Sequence, residues 1–504
     1  MKTIKRKQHS LKLKRLGVDS RNEHLVFMRR DCPVCKSEGF EALNRISVAN
    51  KEREVVASLV VMDGFNGLDR HQVGLSEDAT RILQAREGDS LTFSHLKTLE
   101  SMSDVRRKIY GNPLDQAAYR RIVEDIVDLN LSNIQLSAFL TACAGDRLDL
   151  DEIICLTRSM IDTGQRLDWG AEAVFDKHCI GGLPGYRTTP IVVSIIAASG
   201  LRIPKTSSRA ITSPAGTADM METLTNVDLS VKQIEQIVDE EGGCLAWGGA
   251  VQLSPADDIL IRVERALDID SEGQMIASVL SKKAAAGATA VVIDIPVGPT
   301  AKVRSAKEAE ELAFRMRQVG DSIDLLVEPL ITDGSQPVGR GVGPALEAKD
   351  VLAVLKDKEN APADLRARAV TLAGKLLEMA KSANPGEGMN MASRLIESGE
   401  AWRKFKRICD AQGGLKTPPE AEFRREVLAR ETGKVVAIDN RRIARLAKLA
   451  GAPAAPSAGI LLNVSVGDEI DEGGKLFELH AESEGEIAYA FEYLEENTSL
   501  IGIE

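Results

Sequence analysis

Between Asp176 and Thr189 the chain reads DKHCIGGLPGYRTT, and from Ser207 to Thr217 it reads SSRAITSPAGT. Each run opens into an apolar stretch of helical character, the first into PIVVSIIAASG. Glycines in the first run allow successive backbone N–H groups to turn towards one point, and the helix N-terminus behind them adds partial positive charge. Lys177 and Arg187 bring full charges. His178 stands between Lys177 and the pair Gly181 and Gly182, placed to touch a base or a phosphate, and Thr188 offers a hydroxyl where the helix begins. The second run gathers the hydroxyls of Ser207, Ser208, Thr212, Ser213 and Thr217 around the guanidinium of Arg209. One glycine loop before a helix is a weak motif, but two in one domain point to a ligand with more than one phosphate.

A third stretch runs from Asp268 to Ser305, DIDSEGQMIASVLSKKAAAGATAVVIDIPVGPTAKVRS. Asp270 and Ser271 precede a predicted helix, a place where aspartate caps more often than it catalyses. Ser278 and Lys282 are four apart and share one helix face, so one turn presents a hydroxyl and an ammonium together; the alternative is a solvated face. Lys302 follows the Gly-Pro-Thr turn that closes the next strand, near the edge of a sheet where ligands are expected.

These residues need a scaffold of alternating strands and helices. After Trp169 the sequence supplies one: an apolar strand, a glycine loop and a helix, repeated through TAVVIDIPVG, which implies a sheet with covering helices. Upstream, period-two segments such as HLVFMRR and EVVASLVVMD make residues 1–95 a β-rich module, in which GLSEDATRILQAREGDSLTFSHL resembles a unit of the double-psi β-barrels. Helical periodicity from near Asp104, with Ser132 and Asp149 as N-caps and Gly164 as a stop, makes residues 96–170 a small all-α unit, joined by a returning segment near 255–285. Residues 171–415 form a mixed α/β domain carrying the anion loops. The run LKTPPE marks its end, and 421–504 reads as a small α+β domain. The predicted class is therefore multi-domain α/β.

Composition limits the function further. The chain has 504 residues, 43% hydrophobic, and a formal net charge of -11, so any anion binding is local and no general attraction to nucleic acid or anionic membrane is expected. The basic start, MKTIKRKQHSLKLKRLGV, reads as solvated lysines flanking a strand; it builds no secretory core, and no later stretch approaches a membrane span. A cytoplasmic location follows as the expectation, and seven scattered cysteines fit a reducing compartment. Cys32 and Cys35 form the one close pair. A structural zinc would need two more ligands, and His24 and His71 do not make a second close-spaced pair, so ordinary thiols in a turn are expected.

Three ordered motifs, KHCIGG (Lys177 to Gly182), Ser207 and Arg209 with Thr217, and SVLSKK (Ser278 to Lys283), resemble the thymidine and pyrimidine nucleoside phosphorylase family. The wording is closest to its archaeal-type AMP phosphorylases, which also carry an added N-terminal domain and the SSRAITSPAGTAD, IDSEGQ and GPTAKVRS segments. The resemblance implies binding roles for Gly182, for Ser208 to Ser213 (including Ala210 and Ile211), and for Thr217, Ser278 and Lys302, with Asp270 as proton donor. It departs from the family at Cys179, where a serine is usual, and at Val263, where spacing from Ser278 places an arginine of the pyrimidine enzymes; Arg262 and Arg265 are close by. The implied reaction is phosphorolysis of a nucleoside 5′-monophosphate, AMP foremost, to adenine and ribose 1,5-bisphosphate, with Asp270 as proton donor; the first loop's own chemistry adds Lys177 and His178 as catalytic candidates. The alternatives are thymidine or pyrimidine nucleoside phosphorolysis, and a nucleotide-binding regulatory relative without turnover. No cofactor beyond inorganic phosphate as co-substrate is expected, no metal, and a homodimer or larger homo-oligomer.

Overall fold

The computed structural model describes residues 10–20, 23–51, 53–63, 67–96, 98–210, 213–269, 271–497 and 500–504. Contacts divide the chain into two compact units, one of residues 1–109 with 124–138, the other of 110–123 with 139–504.

In the first unit six strands, β1 (Ser10–Leu13), β2 (Leu25–Arg29), β3 (Arg45–Asn50), β4 (Arg53–Met62), β5 (Gln72–Leu75) and β6 (Ser90–His95), close into a barrel in the order β1-β5-β2-β4-β3-β6. Period-two alternation makes this possible: β1 buries Leu11 and Leu13 between exposed Ser10 and Lys12, and β4 buries Val55, Ala57 and Leu59. The β1–β5 and β2–β4 pairs run parallel. Cys32 caps the short Pro33–Glu38 helix, its sulfur accepting the Cys35 amide at 3.2 Å, and both thiols belong to the barrel core. Among the described residues no group of three or more His, Cys, Asp or Glu is arranged for a metal ion.

The second unit contains the chemistry-bearing loops. Its Leu150–Asp162 helix opens on a capping box, Asp149 accepting the Glu152 amide at 2.8 Å, and packs along the Glu272–Ala285 helix. Five strands follow: β7 (Phe175–Cys179), β8 (Ile203–Ser207), β9 (Gly243–Trp247), β10 (Ala290–Val297) and β11 (Leu326–Asp333). They form a parallel β11-β10-β7 sheet and a parallel β8-β9 pair, joined by a bridge between Val174 and Arg202. β10 is buried from Ala290 to Pro296, as expected of a central parallel strand covered on both faces. The Thr188–Ala198 helix is apolar all round and buried from Thr188 to Ala197, so it can exist only inside the domain. Because the strands point the same way, Cys179, Ser207, Trp247, Val297 and Asp333 end at one edge, the usual ligand edge of such sheets.

The remaining strands, β12 (Gly341–Val342), β13 (Phe423–Leu428), β14 (Gly433–Ile438), β15 (Gly459–Leu462), β16 (Glu469–Ile470), β17 (Lys475–Ala481) and β18 (Ile501–Ile503), make two antiparallel sheets, β12-β15-β17-β13 and β16-β14-β18. The Asn440–Leu449 and Glu484–Glu496 helices share their core. The prolines of LKTPPE lie in irregular chain between the Glu400–Ala411 helix and β13. The protein is a multi-domain α/β molecule.

Candidate active site

Lys177 stands on β7, fully buried, with its ammonium 3.4 Å from Thr189 Oγ1 and 4.6 Å above the Tyr186 ring. Burial brings its pKa down to about 8. Thr188 Oγ1 is buried at the start of the helix, beside the Tyr186 hydroxyl but without a hydrogen bond of good geometry, so it is available to an anion there. The loop between them turns at Gly181 and Gly182, both at φ +96°. A side chain at Gly182 would put a Cβ 2.6 Å from Lys302 N, so the glycine is what lets the turn after β10 close on the loop. The structure thereby brings Gly182 and Lys302 together from opposite ends of the sequence pattern. Arg187, expected to add charge for an anion, is instead paired with Glu347 at 2.5 Å.

His178 follows Lys177 on β7. Burial lowers its pKa well below the usual 6.5, and Lys283, Lys205, Lys282 and Lys177 push in the same direction. The imidazole is therefore neutral at physiological pH and offers one donor and one acceptor, not a charge. On the neighbouring Asp176, also buried, one carboxylate oxygen lies 3.2 Å from Lys205 Nζ and accepts the Lys177 amide at 2.6 Å, while the other accepts Lys283 Nζ at 2.7 Å. Burial alone would raise the Asp176 pKa, but Lys205 and Lys283 outweigh it and hold the carboxyl below its usual value. Burial brings Lys283 down to about 7, against the pull of Asp176. Sequence reasoning passed over this buried charge cluster of Asp176, Lys205 and Lys283. The only signal was the lysine in the middle of the short IPKTS run, and it is buried there with its neighbours.

The second loop leaves β8 at Ser207, whose Oγ is buried and unpartnered. Asp219, in the first turn of the Thr217–Glu222 helix, accepts the amides of Ala210 at 2.6 Å and Gly216 at 2.7 Å and so ties the loop closed. Ser213 Oγ donates to the Ala215 carbonyl at 2.8 Å, Ser208 is exposed, and Thr217 is the first helical residue. The sequence suggested hydroxyls around Arg209; its partners are carboxylates. Arg209 forms a two-point pair with Glu222 at 2.6 and 2.9 Å, lies 3.4 Å from Asp219 and stacks 4.8 Å over Trp247. Ile211 and Thr212 lie outside the described residues.

Ser278 and Lys282 do share a face of the Glu272–Ala285 helix: Lys282 Nζ donates to Ser278 Oγ at 3.1 Å and to the buried Asp257 at 2.7 Å. Val263 is buried in the Pro255–Leu267 helix, whereas Arg262 and Arg265 are exposed. Asp270 lies outside the described residues; its neighbour Ser271 is the N-cap of the Glu272–Ala285 helix, and its hydroxyl donates to the Cys143 carbonyl at 3.3 Å. At one sheet edge, then, lie a buried ammonium, a glycine loop, a neutral imidazole, unpaired hydroxyls and a second loop with a guanidinium. That set can hold oxyanions and act on a group between them.

Family models match in three places: residues 105–164 to the glycosyl transferase family helical bundle domain, 171–402 to its a/b domain, and 434–500 to the pyrimidine nucleoside phosphorylase C-terminal domain. A protein of Polaromonas sp. (strain JS666 / ATCC BAA-500), named "Putative thymidine phosphorylase", is 56% identical over 96% of this chain and 95% of its own. The chain belongs to the thymidine and pyrimidine nucleoside phosphorylase family. Proteins given that same name in Hahella chejuensis and Legionella pneumophila (strain Paris) are each 53% identical over 99% of this phosphorylase and 99% and 96% of themselves. These alignments take in the barrel as well, which the three family models leave unmatched. Among solved structures, anthranilate phosphoribosyltransferase from Thermus thermophilus superposes with a TM-score of 0.51 at 19% identity, covering 61% of this phosphorylase and 99% of that chain, a likeness of fold. The phosphorylase is a pentosyltransferase-type enzyme, with nucleoside and phosphate as its substrate classes. Among the described residues no helix is long and apolar enough to cross a membrane.

Proposed function

We propose that the enzyme cleaves the N-glycosidic bond of a nucleoside 5′-monophosphate with inorganic phosphate, AMP being the preferred substrate, and releases adenine and ribose 1,5-bisphosphate. The observation that supports this reading is that two donor-bearing loops reach one sheet edge, one with Lys177 and Gly182, the other with the unpartnered Ser207 hydroxyl, Thr217 and Arg209, whose guanidinium would have to exchange Glu222 for a phosphate.

An oxygen of the attacking phosphate forms a bond to the anomeric carbon while the bond to the base breaks, and its electron pair leaves on the base nitrogen. The transition state carries positive charge on the sugar ring, as in glycoside cleavage. Lys177, the loop amides and Thr188 hold the phosphate in line; the neutral His178 bridges by hydrogen bonding. A purine leaves once its imidazole nitrogen is protonated, a task the family resemblance gives to Asp270. Ser278 and Lys282 face the base. Arg209, Ser207 and Thr217, with Lys302, receive the sugar's own phosphate, and such donors penalise a substrate that lacks it.

Thymidine phosphorolysis is the second reading, favoured by the names of the relatives and by the Ser278–Lys282 pair. Initial rates across AMP, CMP, UMP, uridine and thymidine separate the two. Strong thymidine turnover with inert AMP overturns the nucleotide reading, and AMP binding without base release at any phosphate concentration favours a regulatory protein. No cofactor other than phosphate is required, the enzyme works in the cytoplasm, and it assembles as a homodimer or larger homo-oligomer, which light scattering on the purified chain tests.

A further inference from the structure

Arg187 ends the first anion loop, and its surroundings give it a task other than anion binding. Its Nη1 donates to the Tyr186 carbonyl at 2.6 Å, its Nη2 donates to the Ala215 carbonyl in the second loop, and its Nε lies 2.5 Å from Glu347 Oε2. Glu347 is wholly buried near the start of the Pro344–Leu355 helix, where its other oxygen accepts the Gly343 amide at 3.2 Å. One guanidinium thus touches both loops and a third element. Its donors form a rigid planar fork, so the groups it binds are held at a set spacing. Its charge is already matched by a carboxylate shielded from water.

We propose that Arg187, anchored by Glu347, is a positioning residue that fixes the separation of the two anion loops and hence the reach between the attacking phosphate and the phosphate on the sugar, a role that rests on the two-phosphate reading above. Two rival roles exist: Arg187 leaves Glu347 to bind phosphate, or the pair only holds the fold together.

The test uses the full-length enzyme with Arg187→Lys, Glu347→Gln and the double variant Arg187→Met/Glu347→Met. Phosphate and AMP are varied independently, thymidine is run in parallel, and thermal unfolding is recorded for each protein. Arg187→Lys keeps the charge and loses the fork. It is expected to lower kcat/KM on the order of 10²-fold, with KM for phosphate and for AMP rising together, and Glu347→Gln should follow in the same direction. A rise in one KM alone, or tighter phosphate binding in Glu347→Gln, means that Arg187 is a phosphate ligand and overturns the proposal. Apolar replacement of a whole buried pair can leave a fold intact, so the double variant should melt like wild type yet remain slow. Wild-type kcat/KM in that variant, or rate losses that track the unfolded fraction, reduces the pair to a structural role and also overturns the proposal. If the wild type turns over thymidine and not AMP, the two-phosphate reading alone has failed. The clamp is then judged on the phosphate and thymidine KM values, where a joint rise supports it and a lone rise in the phosphate KM sinks it.

Discussion

Alanine placed at Gly181 and at Gly182 separates backbone strain from collision at the first glycine loop. Both glycines have φ +96°, but a Cβ on Gly181 meets nothing within 4 Å, whereas one on Gly182 falls 2.6 Å from Lys302 N and 3.0 Å from Lys302 Cβ. Each substitution forces an L-residue into a backbone region it rarely adopts, a strain of about 1–3 kcal/mol. Gly182→Ala adds overpacking against main chain, which cannot yield by rotating a side chain, for about 1–3 kcal/mol more. The relief available is a shift of the loop, or of the turn carrying Lys302. A displacement near 1 Å at a substrate-holding group is worth on the order of 10²-fold in rate, so kcat/KM for Gly182→Ala should fall that far below Gly181→Ala. The assay is initial-rate phosphorolysis over a grid of phosphate and nucleotide concentrations, with urea denaturation of both variants. Equal kinetics for the two, or a Gly182→Ala enzyme indistinguishable from wild type, would refute the packing of Lys302 on Gly182 as a determinant of the site.

Further outcomes are expected at Lys177, at the Arg209–Glu222 pair and at Lys282. Lys177 carries its charge below about pH 8 in the unliganded protein, so KM for phosphate should climb as the pH passes 8, and Lys177→Gln should flatten the profile. Its effect on stability has the opposite sign: between about 8 and 10.5 the unfolded chain binds the extra proton, so this group's contribution rises with pH there, which denaturation at several pH values checks. Arg209→Ala should raise KM for AMP about ten- to a hundredfold and leave thymidine unaffected, while Glu222→Gln, by releasing the guanidinium, should lower KM for AMP; matching changes with both substrates would place Arg209 elsewhere. Lys282→Met leaves the buried Asp257 without its partner and should lower stability by about 3 kcal/mol in urea titration, with Asp257→Asn restoring most of the loss.

The parts of the site that lie close together in sequence were legible there. Glycines and hydroxyls announce loops through their backbone preferences, and the four-residue spacing of Ser278 and Lys282 led to a real 3.1 Å contact. Contacts between distant segments were not legible. Asp176, Lys205 and Lys283 come from two strands and a helix, and only the sheet register places them side by side. Arg209 and Glu222 are thirteen residues apart across an irregular loop, a separation to which no helix or strand period applies. The strands of the N-terminal module were visible as alternation, but the β1–β6 pairing that closes the barrel joins segments too far apart for alternation to predict. Compactness also depends on contacts: sequence texture changes near residue 95, while the first unit extends to 109 and takes in 124–138. Asp270 was singled out by its place before a helix and by family resemblance, and it lies outside the described residues.

The joining of β1 to β6 has a bearing on how copies of the enzyme can meet. A sheet rolled shut in this way has no first or last strand for another chain to zip onto. Anything that grips this module would be expected to do so mainly through side chains on its outer wall or through its turns, where point substitutions can be made without breaking the hoop itself.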